Sequence, residues 1–309
     1  MTINLKKNKI WLTSDKGMVG SALARILNRE KIKYISTNRN TLNLLDQKKV
    51  LSWFKKNRPK IVFMTAAKVG GIYANDKFAA DFIYENLQIQ NNIIEASKIF
   101  KVKKLIFLGS SCIYPRKSKQ PIKEDELLNG KLEKTNQWYA VAKIAGIKMV
   151  EAYRKQYNCN FISLMPCNMY GPNDNYHPKN SHVLAALIKK FYLAKKNKKK
   201  KVEIWGTGKP LREFMHVDDF AEAIIIAAKK YNSAEPLNIG SGDEVSIAKL
   251  AKMISIITKF EGKIIYNKKF PDGTPRKILD SSNIIKIGWK PKIKLYDGIF
   301  ETIKSFNKI

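Results

Sequence analysis

Tyr139 and Lys143 lie four residues apart in Asn136-Gln137-Trp138-Tyr139-Ala140-Val141-Ala142-Lys143, a stretch that reads as helix. At that spacing the phenol and the ammonium share one face. A tyrosine ionises near pH ~10 and is a weak proton donor at neutrality, and an adjacent cation is expected to ease its deprotonation. Ser110 ends the apolar run Lys104-Leu105-Ile106-Phe107-Leu108-Gly109-Ser110. A buried strand there would put its hydroxyl at the carboxyl edge of an open α/β sheet, where such sheets keep their ligands. Together Ser110, Tyr139 and Lys143 could protonate a carbonyl oxygen while hydride reaches its carbon. Alone, Tyr-x-x-x-Lys is common on surface helices, so the elements around it decide its meaning.

Those elements alternate. Short apolar strands are expected near residues 9–14, 32–36, 61–66, 104–110 and 161–166, with helices near 18–28, 47–56, 76–100 and from Tyr139 onward. Such alternation means βαβ units around a parallel sheet. The expected fold is therefore α/β, a Rossmann-type doubly wound parallel sheet over residues 1–166. Beyond Cys167 a loop rich in Pro, Gly and Asn leads into helices near 182–195, 218–230, 247–260 and 295–306 and strands near 202–205, 237–239 and 263–266. Residues 167–309 should form mainly a smaller C-terminal α/β substrate domain, with segments near 214–241 returning to the sheet.

The first strand-to-helix turn is Ser14-Asp15-Lys16-Gly17-Met18-Val19-Gly20. It keeps two glycines of a Gly-x-x-Gly-x-x-Gly pattern, which lets backbone approach a pyrophosphate at a helix N-terminus. Ser14 takes the first glycine's place and fits only if its φ stays negative. After the second strand an NAD site usually carries an acid for the ribose 2′-hydroxyl. Here Ser36-Thr37-Asn38-Arg39 offers a guanidinium instead, which favours a 2′-phosphate and hence NADPH.

The 309 residues are 44% hydrophobic, as in a folded globular chain. Lys+Arg of 58 against Asp+Glu of 26 gives +32. Such an excess can attract nucleic acid or an anionic surface. Here it is mostly lysine spread along the chain, and even Lys195-Lys196-Asn197-Lys198-Lys199-Lys200-Lys201 reads as a solvated loop, so neither nucleic acid nor membrane is expected as a partner. Three cysteines (Cys112, Cys159, Cys167) with no zinc-like spacing exclude a disulfide scaffold and give no metal site. Without a secretion-type leader or an apolar run near ~18 residues, a reduced cytoplasmic setting is expected.

Ala66-Ala67-Lys68-Val69-Gly70-Gly71-Ile72, Leu108-Gly109-Ser110-Ser111-Cys112-Ile113-Tyr114-Pro115, Asn168-Met169-Tyr170-Gly171-Pro172, Asn180-Ser181-His182-Val183, Arg212-Glu213-Phe214-Met215-His216-Val217-Asp218-Asp219 and Pro271-Asp272-Gly273-Thr274-Pro275-Arg276-Lys277 carry a further signal. With the Tyr139 helix, they resemble the extended short-chain dehydrogenase/reductases and, within them, the GDP-L-fucose synthase family. The resemblance implies 3,5-epimerisation of GDP-4-keto-6-deoxy-D-mannose and reduction at C4 with NADPH, giving GDP-L-fucose. It implies Cys112 and His182 as the acid/base pair, Tyr139 as the reducing-step acid, Lys143 as its tuner and Ser110 on the carbonyl oxygen. A thiol near ~8.5 and an imidazole near ~6.5 suit proton exchange around neutrality. By matching position, Ser14 to Gly20, Arg39, Leu108, Gly109, Ser110, Ser111, Lys143, Pro166, Cys167, Asn168, Met169 and His182 would line the cofactor. Lys190, Trp205, Arg212 and Asp272 would hold the sugar nucleotide. A homodimer is implied too, through helices near 76–100 and 136–157. The competing readings are another nucleotide-sugar epimerase or reductase using Tyr139 and Lys143, and a nucleotide-binding protein without catalysis.

Overall fold

The computed structural model describes residues 3–178, 180–270 and 272–306. Its first part runs β1 (Ile10–Leu12), α1 (Met18–Arg29), β2 (Tyr34–Ser36), α2 (Gln47–Asn57), β3 (Ile61–Met64), α3 (Ile72–Lys77), α4 (Ala79–Ile99), β4 (Lys104–Leu108), α5 (Gln137–Tyr157) and β5 (Phe161–Pro166). The second part runs β6 (Asn168–Tyr170), α6 (Val183–Lys196), β7 (Lys201–Trp205), β8 (Leu211–His216), α7 (Val217–Lys230), β9 (Leu237–Ile239), β10 (Glu244–Ser246), α8 (Ile247–Ile257), β11 (Lys263–Asn267), β12 (Arg276–Lys277), α9 (Ser282–Lys286) and α10 (Leu295–Phe306).

Six strands form one sheet in the order β2-β1-β3-β4-β5-β9, and every neighbouring pair is parallel. Strands buried on both faces read as unbroken apolar runs, as Ile10-Trp11-Leu12 and Ile61-Val62-Phe63-Met64 do. The core on this sheet joins Trp11, Phe63, Phe107 and Phe161 to Leu23, Phe54, Ile94, Ile147 and Phe220 from the flanking helices. A second core gathers Leu187, Phe191, Leu250, Ile254 and Ile299 around α6, α8 and α10. The expected Rossmann-type class is the one observed. β9 closes the sheet beside β5, and α7 packs on α1.

β8 links the two cores. Its first half pairs with β10 and β12 and its second half with β6. These short strands have no alternation of their own, so pattern reading misses them. Two other expectations change. The helix expected over 76–100 is two, because Phe78 at φ −110° and ψ 38° interrupts it. The strand expected to reach Ser110 ends at Leu108, because Ser110 accepts from the Cys112 backbone N–H and turns the chain into a short 3₁₀ helix.

Helix α5 rides unusually close to the sheet. A Cβ on Gly146 would stand 2.3 Å from Phe107 Cζ and 2.8 Å from Gln90 Oε1. Gln90 also donates to the Ala142 carbonyl at 2.7 Å, which locks α5 to α4. That closeness brings the next residue, Lys143, onto the end of β4.

Lys104, at the opposite end of β4, is 1% exposed. Its ammonium donates to Asn160 Oδ1 and to the Tyr231 carbonyl. Burial, with Arg154 nearby, still brings its pKa down from 10.5 to about 7. Unfolded, the same lysine holds its proton until pH 10.5, so between those values the unfolded chain binds more protons and stability rises with pH. Lys143, brought down to about 8, adds to the same slope. Lys104→Met should therefore flatten the rise in urea midpoint between pH 7 and 10. An unchanged slope would remove Lys104 from this role.

Candidate active site

The carboxyl edge of β4 turns directly into the reactive segment. Ser110 Oγ accepts from Cys112 N at 3.2 Å, and its hydroxyl is near enough to the phenol of Tyr139 to favour the phenolate. Lys143 is buried and donates to the Leu108 carbonyl at 2.8 Å. Its ammonium stands 4.9 Å from the Phe107 ring centre and 5.7 Å from that of Tyr139. Ser110, Tyr139, Lys143 and Cys112 thus meet at one sheet edge.

The electrostatics differ from the expectation. Burial, reinforced by Cys112, raises the Tyr139 pKa, and Ser110 only partly opposes it. A phenol held in its neutral form remains a stronger acid than the alcohol formed from a reduced ketone. It can still donate once negative charge develops on that oxygen.

His182 is the N-cap residue of α6 and makes no side-chain cap. It is exposed to solvent, and crowding by the surrounding chain, with Lys277 adding to it, shifts its pKa downward from the usual imidazole value. Lys277 Nζ also stands 3.6 Å from Cys112 Sγ. One cation therefore faces both the thiol and the imidazole. Asn136 Nδ2 donates to the same sulfur at 3.3 Å. Neither Lys277 nor Asn136 stood out by spacing. Lys277 sits on a two-residue strand, and Asn136 resembles an ordinary helix-start residue.

The first turn fits a pyrophosphate cradle. Gly17 caps α1 with no side-chain bond to the helix N–H groups, and a Cβ there would meet nothing within 4 Å. A Cβ on Gly20 would fall 2.0 Å from the Ser14 carbonyl. Ser14 keeps a negative φ and is tied to Thr65 through its own N–H and carbonyl. Asp15, Lys16, Met18 and Val19 complete the turn. Arg39 is exposed beyond β2 and pairs with no carboxylate among the described residues. The carboxylate at this strand end comes from Asp15, which accepts from Ser36 Oγ at 2.8 Å. Leu108, Gly109 and Ser111 follow on β4 and its turn. Pro166 ends β5 and Cys167 follows it, its N–H bonded to the Ile239 carbonyl. Asn168 and Met169 lie half-buried on β6.

The four candidate sugar-nucleotide residues gather on the second core. The Lys190 ammonium is 5.0 Å from the Trp205 ring centre. Trp205 also stacks on Phe270 at 4.3 Å, an aromatic partner the sequence pattern did not single out. Asp272 accepts from Thr207 N and Oγ1. Arg212 is half-buried and neighbours Lys277 in the β8–β12 register.

A parallel nucleotide-binding sheet with a Ser–Tyr–Lys constellation at its carboxyl edge defines a nicotinamide-dependent enzyme of the short-chain dehydrogenase/reductase class. The chain matches the NAD dependent epimerase/dehydratase family over residues 12–240 and belongs to it. It is 50% identical to GDP-L-fucose synthase 1 of Arabidopsis thaliana, over 96% of this chain and 92% of that one. It is 44% identical to GDP-L-fucose synthase of Escherichia coli (strain K12), over 98% and 97%. Among solved structures it resembles a GDP-D-glycero-L-gluco-heptose synthase from Campylobacter jejuni in the presence of NADPH. That match has a TM-score of 0.93 and 36% identity, covering 99% of this chain and 100% of that one.

Lys277→Met removes the cation that stands 3.6 Å from the Cys112 sulfur. Proton exchange between substrate and solvent should fall about tenfold, with hydride transfer little changed. Equal losses in both, read by isotope incorporation and NADPH oxidation, would assign Lys277 to binding instead.

Proposed function

We propose that this chain converts GDP-4-keto-6-deoxy-D-mannose to GDP-L-fucose, first by epimerisation at C3 and C5 and then by reduction at C4. The observation that carries the reading is the convergence of a redox triad and a second acid/base pair on one edge. Tyr139 feels both Ser110 and Cys112, and Lys277, 3.6 Å from the Cys112 sulfur, acts electrostatically on His182. A simple 4-reductase needs no second pair. The full-length likeness to GDP-L-fucose synthases supports this particular sugar nucleotide.

Ser110 and Tyr139 would hold the C4 carbonyl oxygen and polarise it. Polarisation acidifies the hydrogens on C3 and C5. Cys112 and the neutral imidazole of His182 would then remove and return protons on opposite faces of the ring. NADPH supplies the hydride when bound. As C4 receives it, the carbonyl π bond breaks and Tyr139 delivers its proton to the oxygen. Ser14 to Gly20 would cradle the pyrophosphate and Arg39 the 2′-phosphate. The sheet of residues 1–166, with segments near 214–241, would carry the cofactor. The remainder of 167–309 would carry the GDP moiety, with Trp205 and Lys190 toward the nucleoside and Arg212 toward the diphosphate. Exposed apolar side chains on α4 and α5, among them Tyr84, Trp138 and Val141, support a homodimer built on these helices. Light scattering should then give twice the 35.4 kDa chain mass, and a monomer mass would reject it. Among the described residues no helix is long and apolar enough to cross a membrane, which is compatible with a cytoplasmic enzyme.

The test is incubation of the purified protein with the keto sugar and each reduced nicotinamide cofactor. GDP-L-fucose should form, with a lower KM for NADPH than for NADH, and Arg39→Ala should narrow that preference. Cys112→Ser and His182→Asn should yield mainly the unepimerised, C4-reduced sugar, and Tyr139→Phe should cut reduction at least ~100-fold. The acid limb of epimerisation should lie below pH 6.5, where His182 finally takes up its proton. Normal fucosyl output from Cys112→Ser would end the two-base scheme. Turnover only of a GDP-heptose would favour the specificity of the Campylobacter jejuni likeness.

A further inference from the structure

The Gly70–Gly71 turn takes no part in the chemistry above, yet its backbone presses on the segment that ends in His182. Gly71 N donates to the Asn180 carbonyl at 2.8 Å. A Cβ on Gly71 would stand 2.3 Å from the Ser181 carbonyl oxygen and 3.1 Å from its carbon. The Gly71 backbone, at φ −68° and ψ 178°, is one any residue can adopt. What requires glycine there is space, not conformation. Asn75, 5% exposed, fixes the turn from behind by donating to the Gly70 and Gly71 carbonyls at 2.6 and 3.1 Å. On the other side, a Cβ on Gly70 would lie 3.1 Å from Phe82 Cζ, and the Phe82 ring packs edge-on against Tyr139 at 6.4 Å. The turn is thus wedged between the helix that starts at His182 and the ring that supports Tyr139.

We propose that Gly71, locked by Asn75, is a positioning residue for His182 that governs proton exchange at C3 and C5 but not hydride transfer at C4. The inference rests on the proposed 3,5-epimerase-4-reductase reading. Ordinary contact between such atoms begins near ~3.5 Å, so a methyl at Gly71 displaces Ser181, and His182 with it, by about 1 Å. A shift of that size at a reacting group costs on the order of 100-fold. Tyr139, Ser110 and Lys143 are anchored on β4 and α5 instead, and stay in place.

The experiment uses the full chain in D₂O. Deuterium entry at C3 and C5 is measured without NADPH, and the ratio of GDP-L-fucose to unepimerised, C4-reduced sugar is measured with it. Gly71→Ala should lower deuterium entry and the product ratio at least tenfold, with the kcat for C4 reduction little changed. Added to Cys112→Ser, it should leave the remaining C4 reduction rate as it was. Wild-type deuterium entry in Gly71→Ala, or an equal loss of exchange and reduction, would overturn the proposal. Should Gly71→Ala fail to fold, Asn75→Ala frees the turn without inserting an atom. It should shift the same ratio in the same direction, and an unchanged ratio would overturn the proposal. Absence of deuterium entry in the wild-type protein would refute the epimerase reading itself, a result distinct from either.

Discussion

The ammonium of Lys143 on the carbonyl of Leu108 is the contact around which the rest is arranged. A charge buried this deeply must find an acceptor, and the one it finds is the last carbonyl of β4. That bond, with the Gln90 bond to the Ala142 carbonyl, holds α5 against the sheet. Tyr139, one turn earlier, is thereby brought to Ser110, and the chain leaving β4 is brought to Cys112. Gly146 makes the contact possible by allowing α5 to lie against Phe107. Without that closeness the ammonium would stand off the strand and have to be solvated in the core.

A consequence is that the site belongs to neither core alone. The first sheet contributes Ser110, Cys112, Tyr139 and Lys143, whereas Lys277 and Arg212 come from strands attached to the second. β8 bridges the two because its halves have different partners. Buried Glu213, between those halves, accepts from Gly242 N and Leu279 N. It holds the segment carrying Lys277 against the strand carrying Arg212.

Much of this was legible in the residues. Apolar runs such as Ile61-Val62-Phe63-Met64 are long enough to declare buried parallel strands, and the four-residue spacing of Tyr139 and Lys143 does place them on one helical face. Ser14 was acceptable in the first turn on the condition of a negative φ, and the backbone meets it. Other features were not legible because they arise only from distant pairing. A two-residue strand such as β12 has no period, so Lys277 looked like one lysine among many. Phe270 became an aromatic partner only when its segment folded beside Trp205. The raised pKa of Tyr139 is likewise not legible in the spacing, which sets the face a phenol shares but not how deeply it is buried.

The separation of the two cores also shapes how such a protein can diversify. Ser110, Tyr139 and Lys143 are set by the packing of α5 on β4, whereas Trp205, Phe270 and Lys190 stand on β7, the loop after β11 and α6. On the proposed assignment, exchanges around Trp205, Phe270 and Lys190 would change how the nucleoside is gripped while Ser110, Tyr139 and Lys143, held on separate elements, keep their places.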